Sequence, residues 1–225
     1  MRRFATEHVP AVGEFICLDE GVSHHILRVT GIAPGEQVEL FDGTGLTAVA
    51  ELCGVREGLA QLRVLSHHRP IHSEGEIHLM LSQLRANVLD TVLRMSTELG
   101  VTSITMVQAE RCVARGDKRE RWIRIVQSAA AQSGRSNWPV IHPPAEFEAA
   151  LMLGASETGL MCVPGTKVPL RPMSGAVRLL IGPEGGWSDG ERAQALEAGW
   201  LERGLGERVL RADTAAISAI VRCGG

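Results

Sequence analysis

A small N-terminal β domain followed by an α/β domain with a largely parallel sheet is the fold class that three features of the sequence predict. Residues 1 to 65 hold short apolar-rich runs broken by Gly and Asp turns, the mark of strands joined by tight connections. The stretch SHHRPIHSEG that follows is polar and carries His67, His68, Pro70, His72, Ser73 and Gly75, as a linker should. Beyond Gly75 candidate strands alternate with candidate helices, the rhythm of a parallel sheet covered on both faces. The length of 225 residues suits one large domain or two modest ones, so the boundary rests on the linker, and the chain divides into 1–68 and 76–225.

The first domain reads as a small β-barrel or sandwich. Its strands are Gln37–Phe41, Thr47–Leu52 and Leu59–Leu65, separated by turns at Asp42–Gly45 and Arg56–Gly58. A short helix carries Ser23–Val29, and Ala33-Pro34-Gly35-Glu36 supplies the Pro-Gly turn into the next strand. The second domain opens with strand Ile77–Ser82, helix Val88–Leu99, strand Ser103–Val107 and helix Arg119–Ser133. In that last helix Trp122, Ile125, Val126, Ala129 and Ala130 recur at helical spacing, so it buries one stripe and turns Arg121, Arg124 and Gln127 elsewhere. Strand Pro139–Ile141, helix Glu146–Leu153, strands Gly159–Val163 and Ala176–Ile181, helix Asp189–Ala198, a short strand near Arg203–Leu205 and helix Thr214–Arg222 complete the series.

Composition excludes several classes. With 44% hydrophobic and 22% charged residues the chain can bury a core and lacks the signature of disorder. No run approaches the roughly 20 apolar residues of a membrane span, and MRRFATEHVPAVGEF has no apolar segment behind its arginines, so a cytoplasmic protein without membrane attachment is expected. Cys17, Cys53, Cys112, Cys162 and Cys223 are odd in number and far apart, which implies neither a disulfide framework nor a metal or redox motif. Four histidines, His67, His68, His72 and His78, lack an accompanying Cys or carboxylate cluster, so no metal is expected. A net charge of −3 argues against coating nucleic acid by bulk electrostatics, and local charge has to carry any such contact.

Three segments carry candidate chemistry. In Leu179–Glu191 an apolar strand runs into Gly182-Pro183-Glu184-Gly185-Gly186, and Ser188 with Glu191 forms an S-x-x-E capping box that starts a helix. Ligands of open α/β sheets bind at the carboxyl ends of strands, where glycines let them reach the backbone, although a turn needing positive φ would look the same. Neither a P-loop nor a dinucleotide fingerprint is present, and Glu184 suits a neutral or cationic ligand better than a polyphosphate. In Leu205–Ala216 a glycine turn precedes a small-residue helix capped by Asp213 or Thr214. Arg211 stands beside that helix start, where the macrodipole disfavours a cation, so either a functional partner or a surface ion pair must hold it. Between Glu110 and Arg135 seven basic residues face three acidic ones, which fits a phosphate footprint or a solvated helix face, and Gly134 ends the helix beside Arg135, which could take a phosphate or a base edge.

Together IGPEGGWSDGE (Ile181–Glu191), LGERVLRADTAAISA (Leu205–Ala219), AAAQSGR (Ala129–Arg135), TELGV (Thr97–Val101) and HHILRVTGIAPGEQVELFDGTG (His24–Gly45) resemble the RsmE family. These are bacterial 16S ribosomal RNA (uracil-N3)-methyltransferases. The resemblance implies a PUA-like β-barrel that helps hold RNA, and a SPOUT α/β domain whose end threads a deep trefoil knot. It further implies a homodimer, S-adenosyl-L-methionine as methyl donor, and N3 of uridine 1498 of 16S rRNA, in the small ribosomal subunit, as acceptor. The donor would lie in loops that correspond here to Val163, Pro164 and Gly165, to Ile181, Gly182, Gly185 and Gly186, and to Leu205, Gly206, Val209 and Leu210. Arg211 would steady negative charge on the uracil, Glu184 would fix its loop or sit near the sulfonium, and Arg3, Arg28, Arg111, Arg121, Arg124 and Arg135 would contact RNA. Methyl transfer needs no metal, because a sulfonium is already electrophilic.

The sequence departs from the family pattern at Arg85-Ala86-Asn87-Val88, where Lys-Gly-Asp-Arg is frequent, at Met95, where Lys is frequent, and at Ala131, where Glu is usual. Two other functions fit parts of the pattern: a knotted methyltransferase acting on a ribose 2′-hydroxyl or another base, and a non-catalytic RNA-binding assembly protein.

Overall fold

The computed structural model describes residues 1–68 and 76–224. They divide between two compact units, Met1–His72 with Gln127–Trp138 and Ser73–Val126 with Pro139–Gly225. Ser66, His67 and His68, read as the start of a linker, are the last residues of a strand, while Pro70, His72, Ser73 and Gly75 lie outside the described residues.

In the first unit strands β1 (Arg3–Ala5), β2 (Phe15–Cys17), β3 (Gln37–Phe41), β4 (Thr47–Arg56) and β5 (Leu59–His68) form one sheet in the order β1-β3-β4-β5-β2. β1 runs parallel to β3, and the other pairs are antiparallel. β4 and β5 turn through Glu57 and Gly58, both at positive φ, which matches the strand twist in a two-residue hairpin. Alternation places Val38, Leu40, Ala50, Leu52, Ala60 and Leu62 in one core with Phe4, Ile16 and Ile26. The helix read at Ser23–Val29 is α1 (Glu20–His24), capped by Asp19, which passes into a π turn over His25–Val29 that keeps Ile26 fully buried. β1 and β2 carry no readable alternation, since each offers one inward residue, Phe4 or Ile16.

Gln127–Trp138 completes this unit. Trp138 packs edge-on to Phe41 at 5.6 Å between ring centroids. Gly43, at φ +81°, lies so close to the Trp138 ring that a Cβ would come within 2.4 Å of it.

The second unit is built on six parallel strands, β6 (Ile77–Ser82), β7 (Ser103–Gln108), β8 (Val140–Glu146), β9 (Glu157–Cys162), β10 (Ala176–Ile181) and β11 (Leu201–Arg203), in the order β11-β9-β10-β6-β7-β8. Helices α2 (Ala86–Glu98), α3 (Arg119–Ser133), α4 (Phe147–Ala150), α5 (Asp189–Glu197) and α6 (Ala212–Gly224) complete the fold. Met80, Val107, Met161 and Leu180 on one face of the sheet pack with Phe147, Trp187, Ala195 and Trp200. α6 packs against β6, β10 and α2. The expected parallel α/β sheet is therefore present.

Between β9 and β10 the chain makes a long excursion, and the residues after β11 run against it. Gly204 donates to Val168 O at 2.8 Å and accepts from Leu170 N–H at 3.0 Å. A Cβ on Gly204 would stand 2.1 Å from the Thr166 carbonyl oxygen. Past this crossing α6 turns back, and its Cys223 carbonyl accepts from Met173 N–H at 3.5 Å.

Candidate active site

Buried apolar strands β9 and β10 end at Cys162 and Ile181, and there a cavity of about 730 Å³ opens. The turn after β10 contributes Ile181 through Trp187, the stretch before α6 contributes Val209 through Asp213, and Cys162 and Pro164 close one side. Arg85 and Val88, at the start of α2, complete the wall. The glycine-bearing turn after β10 and the stretch before α6 thus meet in one space, while Gly206, the glycine of the second turn, lines a neighbouring cavity.

The turn after β10 is held from three directions. Ser188 caps α5 by accepting from Glu191 N–H at 3.2 Å, and Glu191 accepts in return from Ser188 N–H at 2.8 Å, the capping box expected from S-x-x-E. The other carboxylate oxygen of Glu191 accepts from Glu110 N–H at 2.8 Å, so this buried acid also ties in the segment after β7. From that segment Arg111 Nη1 donates to Gly185 O at 3.1 Å and Trp187 O at 3.2 Å. Trp187 in turn donates from its indole to Cys162 O at 3.1 Å, joining the ends of β9 and β10. Its ring lies over Gly182, where a Cβ would come within 3.0 Å.

Charges at the mouth are left open. The side chains of Glu184, Arg85 and Arg211 are exposed and make no hydrogen bond or ion pair among the described residues. Arg211 lies just ahead of α6, and its carbonyl accepts the first helical bond from Ala215 N–H at 2.8 Å. Asp213, read as a cap, sits in the first helical turn instead, where a carboxylate suits the macrodipole. Val209 is 81% exposed on the rim, an apolar side chain with little of its own protein to cover it. Burial pushes the Cys162 thiol up to about 12, so this cavity cysteine stays protonated and is no nucleophile at neutral pH.

A family model described as an RNA methyltransferase domain matches residues 72–223. A ribosomal RNA small subunit methyltransferase E from Synechocystis is 30% identical over 211 residues, covering 88% of this chain and 69% of that protein. This chain belongs to the ribosomal RNA small subunit methyltransferase E family. The Buchnera aphidicola member is 27% identical and covers 93% of the chain and 89% of its own length. Among solved structures, the Neisseria gonorrhoeae member bound to S-adenosyl methionine superposes with a TM-score of 0.91 at 36% identity, covering 98% of this chain and 95% of that one. A putative methyltransferase from Legionella pneumophila, in complex with the same cofactor, follows at 0.88 and 29%, with coverage of 97% and 95%.

Within this family member the residues singled out in sequence fall into three groups. Pro164, Ile181, Gly182, Glu184, Gly185, Gly186, Val209, Leu210 and Arg211 line the large cavity. Gly165 and Gly206 line a neighbouring cavity of about 340 Å³, Val163 is buried in the core, and Leu205 borders neither cavity. The arginines divide as well. Arg3 pairs with Glu39 at 2.8 Å, donates to Arg135 O at 3.0 Å and stacks over Phe41, while Arg135 is buried beside Asn137, so both serve the interior of the first unit. Arg111 fastens the turn after β10, Arg121 pairs with Asp90, and Arg28 and Arg124 are exposed. Securing that turn, one of the two roles read for Glu184, falls to Glu191, Arg111 and Trp187. Sequence reasoning missed Glu191 as a tether because its partner, the Glu110 N–H, is 81 positions away. It missed Arg85 and Val88 because only the packing of α2 beside α6 brings them to the cavity.

Proposed function

We propose that this protein transfers the methyl group of S-adenosyl-L-methionine to N3 of a uridine of 16S rRNA, uridine 1498, in the small ribosomal subunit. The observation that carries the reading is the cavity itself: the glycine-bearing turn after β10 and the Val209–Asp213 stretch converge at the sheet's carboxyl edge, with the Arg211 guanidinium, unpaired among the described residues, at the rim. Its volume of about 730 Å³ suits a small-molecule ligand. Ile181, Leu210 and the exposed Val209 offer apolar cover for an adenine ring, and the backbone of Gly182–Gly186 offers polar groups within reach. The N. gonorrhoeae relative, which binds S-adenosyl methionine and shares almost the whole chain, supports the same ligand here.

When bound, the donor supplies a methyl group already made electrophilic by the sulfonium. The protein's own task is to orient the acceptor and to stabilise the charge left when uracil N3 gives its proton to solvent water, before N3 takes the methyl group and the donor leaves as the neutral thioether. Arg211 takes that charge, since its guanidinium makes no ion pair among the described residues. Glu184 stands on the opposite turn and balances the donor's positive charge. The 163–175 excursion with Gly204 pressed against Thr166 supports a trefoil knot of the SPOUT kind, and the five-stranded sheet of the first unit supports a PUA-like barrel that holds RNA through Arg28. Arg124, exposed on α3, is a further candidate for RNA contact. Exposed Val168, Val209 and Val221 supply apolar surface for a homodimer. No described helix is long and apolar enough to cross a membrane, and a ribosomal substrate sets the protein in the cytoplasm.

The test is a methylation assay on naked 16S RNA, small subunits and 70S particles from a strain lacking this protein, with the product mapped by mass spectrometry. Transfer to a ribose hydroxyl, or to none of the three, overturns the reading. Arg211→Ala should lower turnover by about 10²–10³, the scale of losing one charge-stabilising donor, while donor affinity measured by calorimetry stays within a few-fold.

A further inference from the structure

We infer that Arg85 is a second RNA-positioning cation of this site, taking a backbone phosphate next to the acceptor nucleotide. The inference rests on the reading of the cavity as the donor and acceptor site. α2 and α6 pack side by side, and both begin at the cavity, so Arg85 and Arg211 stand on adjoining helix starts around one mouth. The two differ from Arg111 and Arg121. Arg111 is occupied by Gly185 O and Trp187 O, and Arg121 by Asp90, whereas Arg85 makes no side-chain hydrogen bond or ion pair among the described residues. The first turn of α2 contains no carboxylate, so nothing on its own helix neutralises the guanidinium.

An exposed, uncompensated guanidinium on the rim faces what arrives from solvent. The inner wall, by contrast, is made of glycine backbone and apolar side chains and faces the small ligand. Arg211 and Arg85 then have separate tasks: one meets the reacting base, the other meets the anionic strand that delivers it. A phosphate is the matching group, because a guanidinium can bind it through two parallel hydrogen bonds. Arg85 is thus a positioning residue, acting on the acceptor through its backbone.

The experiment compares wild type, Arg85→Ala and Arg85→Lys in three measurements: donor binding by calorimetry, equilibrium binding of 16S RNA without donor over a salt series, and steady-state methyl transfer. Arg85→Ala should weaken RNA binding about tenfold and raise KM to match, and flatten the slope of log K against log salt by about 0.7–0.9, one phosphate contact. Arg85→Lys should keep most of the slope, and donor affinity should stay within twofold in both. An unchanged salt slope overturns the inference, as does a tenfold loss of donor affinity, which would assign Arg85 to the donor's carboxylate. Failure of the wild type to bind donor would instead count against the methyltransferase reading, and the RNA arm would still report on Arg85.

Discussion

Gly204→Ala inserts one methyl group where the chain beyond β11 crosses the 163–175 excursion. The new Cβ would lie 2.1 Å from the Thr166 carbonyl oxygen, about 1.2 Å inside the closest ordinary approach of carbon to oxygen. Both partners are backbone, so no side-chain rotation relieves the clash. Overpacking of this kind costs about 1–3 kcal/mol, and opening the crossing forfeits the bonds to Val168 and Leu170, about 0.5–1.5 kcal/mol each. The sum, about 2–6 kcal/mol, lowers Tm by on the order of 10 °C for a chain of this length. Urea unfolding of the full chain, with Gly190→Ala as a matched glycine substitution, measures it. A Gly204→Ala protein within about 0.5 kcal/mol of wild type would refute the close crossing, and with it the structural support for a threaded chain.

Gly190→Ala itself should raise stability by about 0.5–1 kcal/mol, because the residue lies in the first turn of α5 with nothing nearer to its Cβ than Ser188 Oγ at 3.8 Å; the same urea titration reads it. Arg111→Ala frees the turn after β10 from two guanidinium bonds and should weaken donor binding about tenfold in calorimetry, at about 1.5 kcal/mol for a charge-assisted pair, and a mutant with unchanged donor affinity would show that the turn needs no such tether. Stability should fall in two stages on acidification: partial desolvation of an otherwise exposed ring, with His78 and Arg178 nearby, holds His142 below its usual value of 6.5, so the unfolded chain takes up its proton first and stability drops as pH falls below that value. Partial burial raises the Glu157 carboxyl, but the Gly154 N–H and Arg178 outweigh it and hold the group below its usual 4.5, so its contribution, full above that value, is lost as pH falls through the lower folded value; Glu157→Gln should remove this second stage from a thermal-unfolding pH series.

Much of the second unit was legible because its signals are local. The 3.6-residue stripe of α3 and the Ser188-to-Glu191 box depend only on residues within a few turns of each other, and both stand where the pattern placed them. The Ala33-to-Glu36 turn was legible for the same reason: proline sets one φ and glycine, at +90°, takes the other. β1 and β2 escaped because three residues with one inward side chain make no period. The strand read at Pro139–Ile141 runs through Pro143 and Pro144 to Glu146, tolerated because β8 is an edge strand.

By itself, then, the order of residues determined the alternation of strands and helices, the glycine turns at the carboxyl edge of the sheet and the family to which they belong, because helix caps, turns and apolar periods are decided by neighbours in the chain. Which arginines are free was decided only by the fold. Arg3, Arg111 and Arg135 look like Arg85 and Arg211 in the one-dimensional text, yet the first three are spent on Glu39, on Gly185 and Trp187, and on the interior beside Asn137. A guanidinium's availability depends on which carboxylates and carbonyls come within about 3 Å of it, and for Arg3 and Arg111 the partners just named arrive from 36 to 76 positions away.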